Sequence, residues 1–138
     1  MTSPRALTVV VYSQLAALRS EVRTAVGRRA ASDLGRIDWV ECANYSQLRN
    51  QLDTGDIDLV LVDGDAQPTG GIGLCRQFKN EITDCPPIIV LLLRTQDRWL
   101  ATWSQADAVI VRPIDPVTAA EVVGQTLRAH ASAIPVIR

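Results

Sequence analysis

A single histidine and three scattered cysteines are all that this 138-residue chain offers as imidazole or thiolate ligands. Cys42, Cys75 and Cys85 are odd in number and show no Cys-x-x-Cys spacing, so they read as small buried hydrophobes in a reducing compartment. His130 falls near the C-terminal end of a predicted helix, where an imidazolium suits the helix dipole. With no second histidine or carboxylate cluster around it, no metal site is expected. Long apolar runs are also lacking. The longest, Pro86 to Leu93, is far shorter than the roughly 20 residues a membrane helix needs, and it suits a buried strand. Residues Met1 to Arg5 show no apolar leader, and no basic block is present at a formal net charge of −1. A membrane span and nucleic acid as main partner are therefore not expected, and a soluble cytoplasmic protein is.

What is present is apolar and regularly punctuated. Hydrophobic residues make up 47% of the chain, which excludes general disorder. The length fits one domain, assigned to residues 1–131 with an apolar tail over 132–138. Ala6 to Tyr12 is almost wholly apolar and β-branched, the signature of a strand covered on both faces. Gln14 to Arg28 reads as a helix with Leu15, Leu18, Val22 and Val26 on its core side. Ile37 to Cys42 alternates like an edge strand. Tyr45 to Leu52 reads as a helix with Ser46 as a candidate N-cap and Gly55 as its stop. Ile57 to Val62 is a third strand ending at Asp63, and a helix over 72–80 follows the loop. A strand at Ile88–Leu93, a short helix at Asp97–Gln105, a strand at Ala108–Val111 and a helix at Asp115–Ala131 complete the series. Five strand–helix units in alternation imply an α/β fold: a five-stranded parallel sheet, doubly wound, with helices on both faces. Function in such sheets gathers at the carboxyl ends of the strands.

Three segments then carry a family resemblance. They are Ile57 to Asp63 with its Pro/Gly loop and the following Gly73 to Lys79, the strand Pro87 to Leu91, and Ala106 to Pro116. In this order and spacing they resemble the receiver domain of bacterial response regulators, a flavodoxin-like (CheY-like) fold, over nearly the whole chain. The resemblance implies phosphoryl transfer to Asp63, helped by an acidic pair after the first strand, a Ser/Thr ending the fourth, an aromatic in the fifth, and a Lys before Pro. Residue by residue, those positions hold Tyr12 and Ser13, then Leu92, Val109 and Arg112. Two neutral hydroxyls cannot supply the carboxylates Mg²⁺ prefers, and phosphoryl transfer depends on that charge. Leu92 offers no hydrogen bond, and Val109 no rotating ring. Arg112 keeps a positive charge in forked form, and is expected either to pair with Asp63 or to point to solvent beside Pro113. Asp65 reads as a turn residue beside Gly64. Pro68 lies five residues beyond Asp63, where the family usually has it four beyond.

The family's output surface is the fourth helix, fifth strand and fifth helix. Here Trp99, Leu100 and Trp103 form the candidate partner surface, Trp99 being expected in the core and Trp103 exposed. The leading reading is a stand-alone, atypical receiver acting by protein–protein binding, without aspartyl phosphorylation, catalytic residue, metal or cofactor. A homodimer through the fourth-helix face is one form this could take. The alternative is a conventional phospho-switch modified on Asp63 by a histidine kinase. A small enzyme or nucleotide binder is disfavoured: Tyr12-Ser13-Gln14 has no glycine, and no histidine stands near Ser13 to activate it.

Overall fold

The protein's computed structural model describes the backbone of residues 4–133 and the side chains of residues 4–131. Five strands, β1 (Leu7–Tyr12), β2 (Ile37–Cys42), β3 (Leu59–Asp63), β4 (Ile88–Leu92) and β5 (Ala108–Val111), form one parallel sheet in the order β2-β1-β3-β4-β5. Between them run α1 (Ala16–Val26), α2 (Tyr45–Thr54), α3 (Gly71–Glu81), and α4 (Arg98–Trp103) behind a 3₁₀ turn at Thr95–Asp97; α5 (Pro116–Ala133) follows β5. The doubly wound five-stranded sheet expected from the alternation is therefore present.

Side-chain alternation along the strands sorts the core into two halves. Val9 and Val11 of β1, Leu59 and Leu61 of β3, and Ile89 and Leu91 of β4 pack against Leu18, Val22 and Val26 of α1 and Ala119, Val123 and Leu127 of α5. Val10, Tyr12, Val60, Val62, Ile88, Val90 and Leu92 face the other way, onto Leu48 of α2, Leu74, Cys75 and Phe78 of α3, and Ala101 of α4. Central strands buried on both sides need apolar residues at every position, which is why β3 and β4 read as unbroken apolar runs. β2 is a sheet edge, and its Asp38 and Glu41 are exposed accordingly.

Local chemistry corrects several sequence expectations. Asn44, not Ser46, caps α2, its side-chain oxygen accepting the Gln47 N–H at 2.9 Å, while Gly55 stops the helix in the left-handed region at φ 89°. Leu15 is exposed, because α1 begins one residue later and Leu15 is its N-cap. Cys42 and Cys75 are buried and Cys85 half-buried, all three as free thiols. His130 sits in the last turn of α5, which extends two residues into the segment read as tail; residues 134–138 lie outside the described residues.

Two acids pin the amino ends of the strands. Asp58, just before β3, accepts the Thr8 N–H at 2.9 Å and pairs with Arg5 at 2.6 Å. Asp107, just before β5, accepts the Ile88 N–H at 2.8 Å and pairs with Lys79 at 2.6 Å. Each joins neighbouring strands through a charge-assisted bond. At the carboxyl end α3 approaches β3 so closely that a Cβ on Gly71 would stand 2.6 Å from the Asp63 carbonyl oxygen and 2.8 Å from the Val62 Cβ. Only glycine fits there.

Candidate functional site

β3 ends at Asp63, with its carboxylate buried. The register explains what surrounds it. Tyr12 pairs with Val62 across β1 and β3, so Ser13 comes level with Asp63 one step further on. Ser13 has the parity of Val9 and Val11, and Asp63 that of Leu59 and Leu61, so both side chains emerge on the α1/α5 side. The outcome is a hydrogen bond of 2.7 Å from Ser13 Oγ to Asp63 Oδ2. The other carboxylate oxygen, Oδ1, accepts the Asp65 N–H at 2.9 Å, which makes Gly64-Asp65 the turn expected of it.

Ser13 is itself held from several directions. Its Oγ accepts the Leu15 N–H at 3.0 Å as α1 begins, and its carbonyl accepts from Arg19 at 2.6 Å. Arg19 in turn pairs with Glu41 at 3.0 Å, joined there by Arg23 at 2.7 Å. The Arg19 hydrogen bond holds the Glu41 carboxyl below its ordinary value, against burial, which raises it, and with help from the Arg23 hydrogen bond and both charges.

Tyr12 has the opposite parity and points into the α2–α4 half of the core. Its hydroxyl donates to the Thr69 carbonyl at 2.7 Å, tying β1 to the loop before α3. Burial, and then the charge of Asp63, push the Tyr12 phenol above its ordinary value, so it remains a neutral donor. Tyr12 and Ser13 therefore part company: one staples a loop, the other caps the carboxylate.

The other positions named in the sequence fall as follows. Leu92 is buried on the α2–α4 side, away from Asp63. The β4-end residue on Asp63's side is Leu93, which is 51% exposed and lines a shallow groove with Glu21, Arg112 and Pro113. Parity along β4 distinguishes Leu93 from Leu92. Val109 packs, half-buried, on the α2–α4 side and lines a second groove with Lys79, Cys85 and residues of α5.

Arg112 does not pair with Asp63. Asp63 forms no ion pair among the described residues, and its partners are Ser13 and the Asp65 N–H. Both oxygens of Asp63 are already taken, by Ser13 and the Asp65 N–H, and Arg112 lines the groove with Leu93 and Pro113 instead.

Mg²⁺ is the ion this position would take in a phosphorylated receiver. Such a site needs octahedral oxygen ligands anchored by one or two carboxylates. The residues present do not fit it. Asp63 is the one buried carboxylate at the site, the neighbouring Ser13 hydroxyl is a donor to it, and Asp65 is exposed on the loop. No group of three His, Cys, Asp or Glu side chains converges among the described residues.

The α4 surface contrasts with this closed corner. Ala101 and Ser104 turn inward, Ser104 donating to the Ala101 carbonyl at 2.8 Å and accepting the Cys75 thiol at 3.4 Å through its own carbonyl. That arrangement turns both tryptophans outward. Trp103 is 48% exposed and Trp99 65%, so Trp99 lies on the surface instead of in the core. Leu100 is half-buried beside them.

A five-stranded parallel sheet in this order is the flavodoxin-like arrangement, with a buried aspartate here closing its third strand, and solved receiver structures share the fold. The receiver domain of the Francisella response regulator 1452 superposes with a TM-score of 0.74 at 15% identity, covering 89% of this chain and 98% of that one. The Vibrio cholerae chemotaxis response regulator CheY4 gives 0.72 at 13% identity, covering 88% and 99%. No family model matches the sequence. Two uncharacterized response regulatory proteins, from two strains of Mycobacterium tuberculosis, are 43% identical to it over 129 residues, 94% of this chain and 97% of theirs. The chain belongs to the response-regulator family as a receiver domain of two-component signalling.

Proposed function

We propose that this receiver regulates a partner protein by binding it, without aspartyl phosphorylation and without Mg²⁺. The observation that carries the reading is the 2.7 Å hydrogen bond from Ser13 to Asp63. Where an acid would share a metal ion with Asp63, a hydroxyl donates to it, and a backbone N–H occupies the second oxygen. Phosphoryl transfer is driven by positioning and charge stabilisation around the transferred group. This corner offers neither the metal ligands nor a cation paired to Asp63. In place of Ser/Thr read-out, the fourth strand ends at Leu92 with Leu93 directly after it. Output then rests on the exposed Trp99 and Trp103 with the half-buried Leu100 beside them. We place the protein in the cytoplasm and assign it no enzymatic activity.

Asp63 itself, buried at the end of β3, favours a second reading: a conventional phospho-switch modified by a histidine kinase. Incubation of the full chain with Mg²⁺ and acetyl phosphate, followed by intact mass measurement, separates the two. The expected result is an unchanged mass. A stoichiometric adduct, labile to alkali and hydroxylamine, that disappears in Asp63→Asn overturns phosphorylation independence.

A further inference from the structure

We infer that the face built from α4 and Arg76 of α3 binds an acidic segment of a partner protein in which carboxylates alternate with apolar side chains. This deepens the protein-binding part of the function proposed above and rests on it. Around α4, at about 100° per residue, Trp103, Trp99, Thr102 and Arg98 follow one another across the exposed side. Arg76 flanks the Trp103 end. Its guanidinium lies 4.3 Å from the Trp103 ring centroid and donates to the Trp103 carbonyl at 2.6 Å. Stacked and hydrogen-bonded, the cation is oriented in advance on the indole, which reduces the entropy lost on meeting a carboxylate. Arg98 is exposed on the far side of Trp99.

Charge decides the occupant. Neither Arg76 nor Arg98 forms an ion pair among the described residues, whereas the acids near α4 are engaged: Asp97 by Arg94 at 3.1 Å and Asp107 by Lys79 at 2.6 Å. The face thus presents two indoles and two cations outside any ion pair, with no uncommitted anion among them. A second copy docked across a two-fold axis would bring this face against itself and oppose like charges. Nucleic acid is also a poor match, since its affinity grows with the number of phosphates neutralised, typically about 6–10, and this face has two arginines. An acidic, partly apolar peptide meets both features, carboxylates taking the guanidinium forks and apolar side chains covering the rings.

Selection of a random-peptide library displayed on phage against the full chain tests this, followed by fluorescence anisotropy with the synthetic peptides recovered. Expected are sequences that interleave Asp or Glu with apolar residues. Their affinity should fall roughly tenfold or more for Trp99→Ala and again for Arg76→Glu with Arg98→Glu, while circular dichroism is unchanged. Recovery of neutral or basic peptides, affinity indifferent to these variants, or an empty selection overturns it. So does a wild-type dimer in sedimentation that Trp99→Ala dissolves, or a single-stranded oligonucleotide displacing the peptides. An adduct on Asp63 overturns phosphorylation independence and leaves the peptide result untouched, so the two failures are distinguishable.

Discussion

The carboxyl end of β3 and the outer face of α4 lie on the same domain and have opposite designs. Both carboxylate oxygens of Asp63 are engaged within the chain, by the Ser13 hydroxyl and the Asp65 N–H, and nearby Tyr12 is engaged by Thr69. On α4 the groups most able to bind something else, Trp99, Trp103, Arg76 and Arg98, stand at the surface. A receiver that signalled by a change at Asp63 would need its corner open to reagents. On the function proposed above, the closed corner serves stability and the open face serves recognition.

The largest effect should come from forcing charge back into the closed corner. In Ser13→Asp the hydroxyl donor to Asp63 becomes a second buried acid, and the Leu15 N–H keeps an acceptor. Two carboxylates side by side with no cation should cost about 3 kcal/mol or more at neutral pH, unless one of them stays protonated. Mg²⁺ should recover part of that loss in the variant, because it binds only the folded state, and leave the wild type unmoved. Thermal unfolding with and without Mg²⁺ measures both arms. A wild type stabilised by Mg²⁺ would erase the contrast between the two regions.

A smaller effect is expected at the opposite end of β3, where an acid does have a cation. Burial raises the Asp58 carboxyl, but the Arg5 hydrogen bond, the Thr8 N–H and the charges of Arg5 and His130 together leave it below its ordinary value of 3.8. A carboxyl whose folded value is depressed stabilises the fold in its ionised form. That contribution is present above 3.8 and is lost as acid carries the pH below it, through the lower folded value. Asp58→Asn keeps an acceptor for the Thr8 N–H and removes the charge. It should therefore lower stability at pH 7 by about 1 kcal/mol and leave it almost unchanged near pH 2, flattening the acid limb of a denaturant-midpoint profile. Arg5 is largely exposed, which keeps the expected size modest.

Much of this was legible before any coordinates. β-branched apolar runs mark strands buried on both sides, and Tyr12, Ser13, Leu92 and Arg112 already showed that the usual acids, hydroxyl and lysine were not in place. Finer placement depends on parity and strand order. Ser13 shares the parity of Val9 and Val11, so its meeting with Asp63 could have been read by counting. The same count along β4 gives Leu93 and not Leu92. The supposed Arg112–Asp63 pair failed for a different reason: the acid had already found Ser13 and a backbone N–H, and a sequence does not show which way a long side chain turns. For Trp99 the period showed that it shares a face with Trp103 but not which way that face turns. Ala101 and Ser104, small residues three apart, were the signal that α4 packs closely on its other side.

That packing leads to the smallest effect. Trp99→Ala removes one of the two largest side chains on α4, yet the ring is 65% exposed, and the buried contacts here belong to Ala101 and the adjoining Ser104. Alanine is also the better helix former. A buried tryptophan would cost about 3–5 kcal/mol on truncation, whereas this one should move stability by no more than about 0.5 kcal/mol. Chemical denaturation of the variant beside Ser13→Asp decides the matter. A loss above about 2 kcal/mol at Trp99 would mean that the ring is held by the fold, and the α4 face would join Asp63 as a committed region. A near-zero change leaves an exposed indole that costs solubility and adds nothing to stability, and recognition of another molecule is the remaining reason to keep it there.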